Sequence, residues 1–96
     1  MDFIDKLAID AVKEAIKSLR EAGKRPYKQT VPREAERILI AKSGRRVTPT
    51  DAVKRVVQAI ERLKARKELK APPTAEDWVL IDRRPPKEEE EERTEE

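Results

Sequence analysis

"GRRVTPTDAVKRVVQAIERLKARKELKAP", residues 44–72, combines a tight turn, a strong helix start and most of the chain's basic excess. Thr48 is placed as an N-cap able to accept from the backbone amide of Asp51, Pro49 falls at the first helical position where a missing N–H costs nothing, and Asp51 sits at the positive end of the helix dipole. The spacing predicts a helix running to about Leu69. Val53, Val56, Val57, Ile60 and Leu63 form its expected inward stripe. At about 100° per residue the opposite side carries Asp51, Arg55, Gln58 and Arg62, flanked by Lys54.

Upstream of this stretch, Asp2 is a second N-cap, and Phe3, Leu7, Ala8, Ala11, Val12, Ala15, Ile16 and Leu19 recur at helical steps until Gly23. Lys24 to Gln29, with Pro26 and Tyr27, reads as an extended connector or short strand. Thr30 and Pro32 then open another helix with Ala35, Ile38, Leu39 and Ala41 as its apolar face, and Ser43-Gly44 ends it. Downstream, Lys67 to Ala71 and Trp78 to Ile81 flank the breaker-rich PPTAED (72–77) in the manner of a β-hairpin. After Arg83-Arg84-Pro85-Pro86 the run KEEEEERTEE (87–96) has no residue able to form a core. The expected organisation is a mostly α domain with a small β-hairpin over 1–83 and a disordered acidic tail over 84–96.

A length of 96 residues suits one small domain. Only 36% of residues are apolar and 45% are charged, yet the apolar ones keep a regular period up to Ile81, which predicts folding. Cys and His are absent, removing disulfides, thiol nucleophiles, imidazole bases and the usual zinc ligands. Ser18 and Ser43 are the only serines and Gly23 and Gly44 the only glycines, so neither an activated serine nor a glycine-rich phosphate loop can be assembled. The chain is therefore read as a non-enzyme with no cofactor and no metal. No stretch has the length of apolar sequence needed to cross a bilayer, and MDFIDKLAIDAV carries acids where a signal peptide carries positive charge. A cytoplasmic protein with no membrane partner is expected.

Asn is missing, Gln occurs only at 29 and 58, Met occurs only at position 1, and Lys, Arg and Glu dominate. That ion-rich pattern, poor in thermolabile side chains, points to a thermophilic archaeon or bacterium or one of their viruses. Heat adaptation alone raises charge content, so the distribution of charge has to decide its meaning. Residues 1–83 hold 20 Lys+Arg against 13 Asp+Glu, a net +7, whereas residues 84–96 hold 3 against 7. Residues 42–70 alone carry 10 basic side chains against Asp51, Glu61 and Glu68, so the whole positive excess of the folded part lies there.

The order of three helices, a short extended segment after the first, a tight turn between the second and third, and a terminal hairpin resembles the winged helix-turn-helix domain over about residues 2–83. The resemblance implies that the third helix is a recognition helix for the major groove and that the hairpin around 68–82 is a wing against the backbone or minor groove. The first helix is longer than that fold needs, and the presumed wing tip carries Glu76 and Asp77 in place of cations. AKSGRRVTPTDAVKRVVQAI (41–60) also resembles the second loop and third helix of archaeal histones, but Gly23, Pro26 and Pro32 break the long central helix that fold requires.

Together these readings predict binding to double-stranded DNA, as a transcriptional regulator or nucleoid-associated chromatin factor. Arg45, Arg46, Thr50, Lys54, Arg55, Gln58, Arg62, Lys64, Arg66 and Lys67 are the expected nucleic-acid-binding residues, with Arg55, Gln58 and Arg62 presented to base edges and the cations of the turn and helix ends on phosphates. The alternative is a winged-helix module that binds an acidic protein partner within a replication, transcription or RNA-processing assembly. The generous apolar set over residues 2–22 leaves a homodimer and simple core packing as level readings of the first helix. Trp78 and Tyr27 have the chemistry to stack on bases, but a core role is expected for Trp78 in its apolar run.

Overall fold

Asp2 accepts from the backbone amide of Asp5 at 2.8 Å and starts α1 (Phe3–Glu21). Thr48 does the same for the amide of Asp51 at 3.1 Å, with Pro49 in the first turn, and starts α3 (Pro49–Ala65). Val47 just before that cap and Ala52 just inside the helix are both buried, the placement of a hydrophobic staple that sets the angle at which the chain enters α3. Between them, α2 (Val31–Lys42) begins differently. The Thr30 hydroxyl donates to the Arg25 carbonyl at 2.6 Å and accepts from the Tyr27 amide at 3.0 Å, so it closes the preceding turn and does not cap the helix. The structure is a computed structural model and describes residues 2–81; the acidic tail expected over 84–96 lies outside the described residues.

All three helices end in the same motif. At α1 the Lys24 amide donates to the Leu19 carbonyl and the Gly23 amide to the Arg20 carbonyl, at 2.8 and 3.0 Å. Arg45 and Gly44 repeat the pair at the end of α2, and Glu68 and Lys67 at the end of α3. The motif places one residue in the left-handed region: Gly23 at φ 75°, Gly44 at φ 69° and, at α3, the non-glycine Lys67 at φ 61°. Arg45, just after Gly44, also has positive φ, at 64°.

No strand forms over Lys24 to Gln29, where an extended connector or short strand was expected. Pro26 has no N–H to give a ladder, and the Tyr27–Thr30 turn leads the chain into α2. A single strand-like bond survives, from the Trp78 amide to the Pro26 carbonyl. The hairpin is present as β1 (Leu69–Lys70) and β2 (Val79–Leu80), antiparallel with Leu69 opposite Leu80 and Lys70 opposite Val79. Pro72 and Pro73 stop the pairing early, while the Ile81 amide adds a bond to the Glu68 carbonyl at 2.8 Å.

One core serves all five elements. Val12 and Ile16 of α1, Val31 and Leu39 of α2, and Val56 and Leu63 of α3 are fully buried, and Leu69 and Trp78 close it from the hairpin, so Trp78 takes the core role expected for it. The α1 stripe from Ala8 to Leu19 is spent inside this core, and among the apolar residues of α1 only Phe3 stays exposed, at 68%. The homodimer reading of residues 2–22 is left without the exposed apolar stripe it needed. Three expectations need correction. The third helix ends at Ala65 and not near Leu69, because Lys67 turns left-handed and Leu69 joins β1. Ala41 is exposed, and so are Val53 and Val57; the buried positions of α3 are Ala52, Val56, Ala59, Ile60 and Leu63. The result is a mostly helical chain with a two-stranded antiparallel hairpin, an arrangement compatible with a winged helix.

Lys67 holds a backbone conformation that costs an L residue about 1–2 kcal/mol, whereas glycine adopts it freely. Lys67→Gly is expected to raise stability by about 0.5–1 kcal/mol in urea unfolding, after its own entropic cost. Gly23→Ala should lower stability by about 1 kcal/mol, although a Cβ there meets no neighbouring atom, because the backbone angle alone opposes it.

Candidate nucleic-acid interface

The outward face of α3 is set by what its flank does. Arg55 turns toward the start of α1, where its Nη1 lies 2.9 Å from Asp5 Oδ1 and 3.2 Å from both oxygens of Asp2. Its Nε reaches Asp51 Oδ2 on its own helix at 3.3 Å. Arg62, two turns further on, pairs with Asp5 through Nη1 at 3.3 Å. The side of α3 expected to face solvent with Arg55 and Arg62 is therefore held against α1. Their guanidinium groups are occupied by carboxylates and do not stand free for base edges.

With that flank fixed, the exposed arc of α3 carries Thr50, Val53, Lys54, Val57, Gln58, Glu61 and Lys64. Thr50, Lys54 and Gln58 sit on successive turns, and Val53 and Val57 run beside them. Val53 is 44% and Val57 51% exposed, so this face has an apolar edge as well as donors. Arg45 and Arg46 stand exposed in the turn before α3, and Arg66 and Lys67 at its far end. Lys64 is 3.6 Å from Glu61. Arg45, Arg46, Lys54 and Lys67 make no ion pair among the described residues.

The structure adds basic groups along α2 that the charge count had hidden, because residues 1–41 and 71–83 together sum to zero. Lys24, Arg33 and Arg37 line a shallow groove of about 700 Å³ beside Tyr27 and Gln29. Arg37 also borders a second groove, of about 500 Å³, which continues past Ile40 to Arg45 and Pro49. Arg37 is held by Glu34 at 2.5 Å, so Lys24 and Arg33 are the less committed cations of the first groove. Only the tertiary structure links the first groove, through Arg37, to Arg45 in the turn before α3.

The hairpin loop does not project freely. Arg25 donates through Nε to Asp77 at 2.9 Å and through Nη2 to the Ala75 carbonyl at 2.8 Å, while Arg20 donates to the Trp78 carbonyl at 3.1 Å. Arg25 also lies over the Tyr27 ring, 5.8 Å from its centroid. Asp77 is thereby partly neutralised, and Glu76 is left exposed. Lys13 of α1 meanwhile pairs with Glu68 at 3.2 Å, taking up the acid nearest the hairpin base.

These pairings shift the titration of several groups. The Asp5 amide and then the Arg55 guanidinium hold the Asp2 carboxyl below its ordinary value, and Arg37 does the same to Glu34. Arg55 and Lys42 are raised by their partners, Asp2 foremost and Glu14 respectively. Among the described residues no group of three or more His, Cys, Asp or Glu is placed to hold a metal ion, and no helix is long and apolar enough to cross a membrane. Compared with known proteins, the chain matches no family model, no curated protein and no solved structure.

Lowered carboxyl pKa values contribute stability that is complete above the unfolded values, near 4, and lost as pH falls through the folded ones. The urea midpoint should therefore hold level through neutral pH and drop below about pH 4. Asp2→Asn keeps an equally good cap but removes the charge facing Arg55, so its acid-side decline should be shallower. Arg55→Ala should lower the midpoint clearly at neutral pH, whereas Lys54→Ala should change stability by less than about 0.5 kcal/mol.

Proposed function

We propose that this chain is a winged-helix protein that binds double-stranded DNA, laying α3 in the major groove as a transcriptional regulator or nucleoid-associated factor. The observation that carries the reading is how the ion pairs divide the cations. Within residues 42–70, Lys42, Arg55, Arg62 and Lys64 are matched to acids, and the cations left unmatched include Arg45, Arg46, Lys54 and Lys67 on or beside one exposed helix face. A helix face flanked by Arg45, Arg46, Lys54 and Lys67, which make no ion pair among the described residues, suits a polyanion, because docking there breaks no existing pair of theirs.

In this reading Arg45 and Arg46 contact phosphate on one side of the groove and Lys67, with Lys70 on β1, on the other. Thr50, Lys54 and Gln58 point between them toward base edges. Lys24 and Arg33 extend the backbone contacts along α2. Arg55 and Arg62 serve as positioning residues that orient α3, and the hairpin acts through its base and not through its acidic tip. The resemblance to winged helices supplies the fold analogy; the residues supply the argument.

A second reading has its own support. Exposed Val53 and Val57 are the groups a protein partner would cover, so an interaction module with an acidic surface as its target is the competing function.

Fluorescence anisotropy of a mixed-sequence duplex across a salt series separates the two. Six phosphate contacts predict a log–log slope of about −5. Arg45→Ala and Lys67→Ala should each make the slope shallower by about 1, while Arg55→Ala, once shown to be folded, should leave the slope unchanged. Absence of duplex binding even at low salt would remove the DNA reading and leave the protein partner.

A further inference from the structure

The two valines on the outward face of α3 are out of keeping with the rest of the chain. Most of its other exposed helical positions are filled by Lys, Arg, Glu and Ala, which favour helix, whereas a β-branched apolar side chain on a solvated helix face loses rotamer freedom and gains no packing. Val53 and Val57 nonetheless stand 44% and 51% exposed, one turn apart. Gln58 adjoins Val57, in a chain that has no Asn and only one other Gln. Lys54 lies between the valines in sequence, and Arg45 and Arg46, which make no ion pair among the described residues, precede them.

We infer that α3 reads thymine: Val53 and Val57 pack against the C5-methyl groups of nearby thymines in the major groove, and Gln58 takes the adenine edge beside them. This rests on the DNA reading above and goes beyond it by assigning what the helix distinguishes. The chemistry is direct, since an apolar side chain recognises the thymine methyl and a carboxamide can donate to adenine N7 while accepting from N6. The spacing also suits. Side chains four apart on a helix are separated by about 5–6 Å, and stacked bases by about 3.4 Å, so the pair spans adjacent or next-adjacent base steps.

A strip two valines long, bordered by Lys54, Gln58, Thr50 and the Lys64-paired Glu61, is narrow for a protein docking site, where a contiguous apolar patch of a few hundred Å² is usual. It matches the width of a line of methyl groups. The surrounding charge favours the same occupant. Among the described residues Arg45, Arg46 and Lys54 beside the strip make no ion pair, whereas a protein surface would have to bring an acidic rim of matching shape.

The test uses the full chain and three synthetic duplexes of equal length: alternating dA-dT, the same duplex with every thymine replaced by deoxyuridine, and alternating dG-dC. Deoxyuridine keeps the charge and the pairing and removes only the methyl. At about 0.8 kcal/mol for each buried carbon, two methyl contacts predict binding to dA-dT about tenfold tighter than to the uridine duplex. The double variant Val53→Ala, Val57→Ala, which improves helix propensity and so should fold, is expected to bind the thymine and uridine duplexes equally. Gln58→Ala should reduce the preference for both over dG-dC. Equal affinity of the unmodified chain for thymine and uridine duplexes overturns the inference while leaving DNA binding intact, as does discrimination that survives the double substitution. No binding to any of the three at low salt overturns the DNA reading and this inference together.

Discussion

Arg55 meets three carboxylates, and this fan governs how α3 is rotated about its own axis. Asp2 is the N-cap of α1, Asp5 lies in its first turn and Asp51 in the first turn of α3, so the clamp joins the starts of two helices through Arg55 and Asp5, 50 residues apart in sequence. Arg62 repeats the attachment at Asp5 two turns along. Once this flank is tied down, Ala52, Val56, Ala59 and Leu63 enter the core, and Thr50, Val53, Lys54, Val57 and Gln58 are left facing outward. The clamp is partly exposed, so its Coulomb attraction is screened and its role is better described as directional than as a large source of stability. Burial supplies most of the stabilisation; the arginines select one rotation of the helix.

That selection explains why a high charge content does not translate into a uniformly charged surface. Each acid within the basic segment has a cation near it: Asp51 has Arg55, Glu61 has Lys64 and Glu68 has Lys13. Elsewhere Lys42 reaches Glu14 and Arg25 reaches Asp77, pairings that join different elements. The cations that remain uncommitted near α3 therefore cluster by subtraction. Two of them, Arg45 and Lys67, also occupy left-handed backbone positions at the ends of α2 and α3, where a helix-ending turn throws the chain outward. Such positions cost energy for any residue other than glycine, and sites of this kind are concentrated where function is exerted.

The local signals in the sequence were legible because each acts over three or four residues. Asp2 and Thr48 are identifiable as caps from their own chemistry, Pro49 from its missing donor, and Gly23 and Gly44 from the φ that a helix end requires. Trp78 in an apolar run next to a breaker-rich loop was sufficient for a buried residue at the edge of the hairpin. The rotation of α3 was not legible in the same way. Hydropathy ranks valine above alanine, which drew the inward stripe toward Val53 and Val57, yet the core accepts Ala52 and Ala59 because closely packed helices need small residues between them. An error of this kind moves every outward side chain by a fraction of a turn.

By itself, then, the sequence determined where the three helices begin and where the first two end, that a short hairpin follows them, and that surplus positive charge is concentrated in residues 42–70. Caps, breakers and charge counts are properties of neighbours along the chain, and no packing is needed to read them. Only the tertiary structure decided which of those charges are free. Arg55 and Lys54 are adjacent in sequence and equally basic, but one lies against the acids of α1 and the other faces solvent. Whether a cation is spent or available depends on which carboxylate the fold brings within about 4 Å, and that is a property of distant segments meeting.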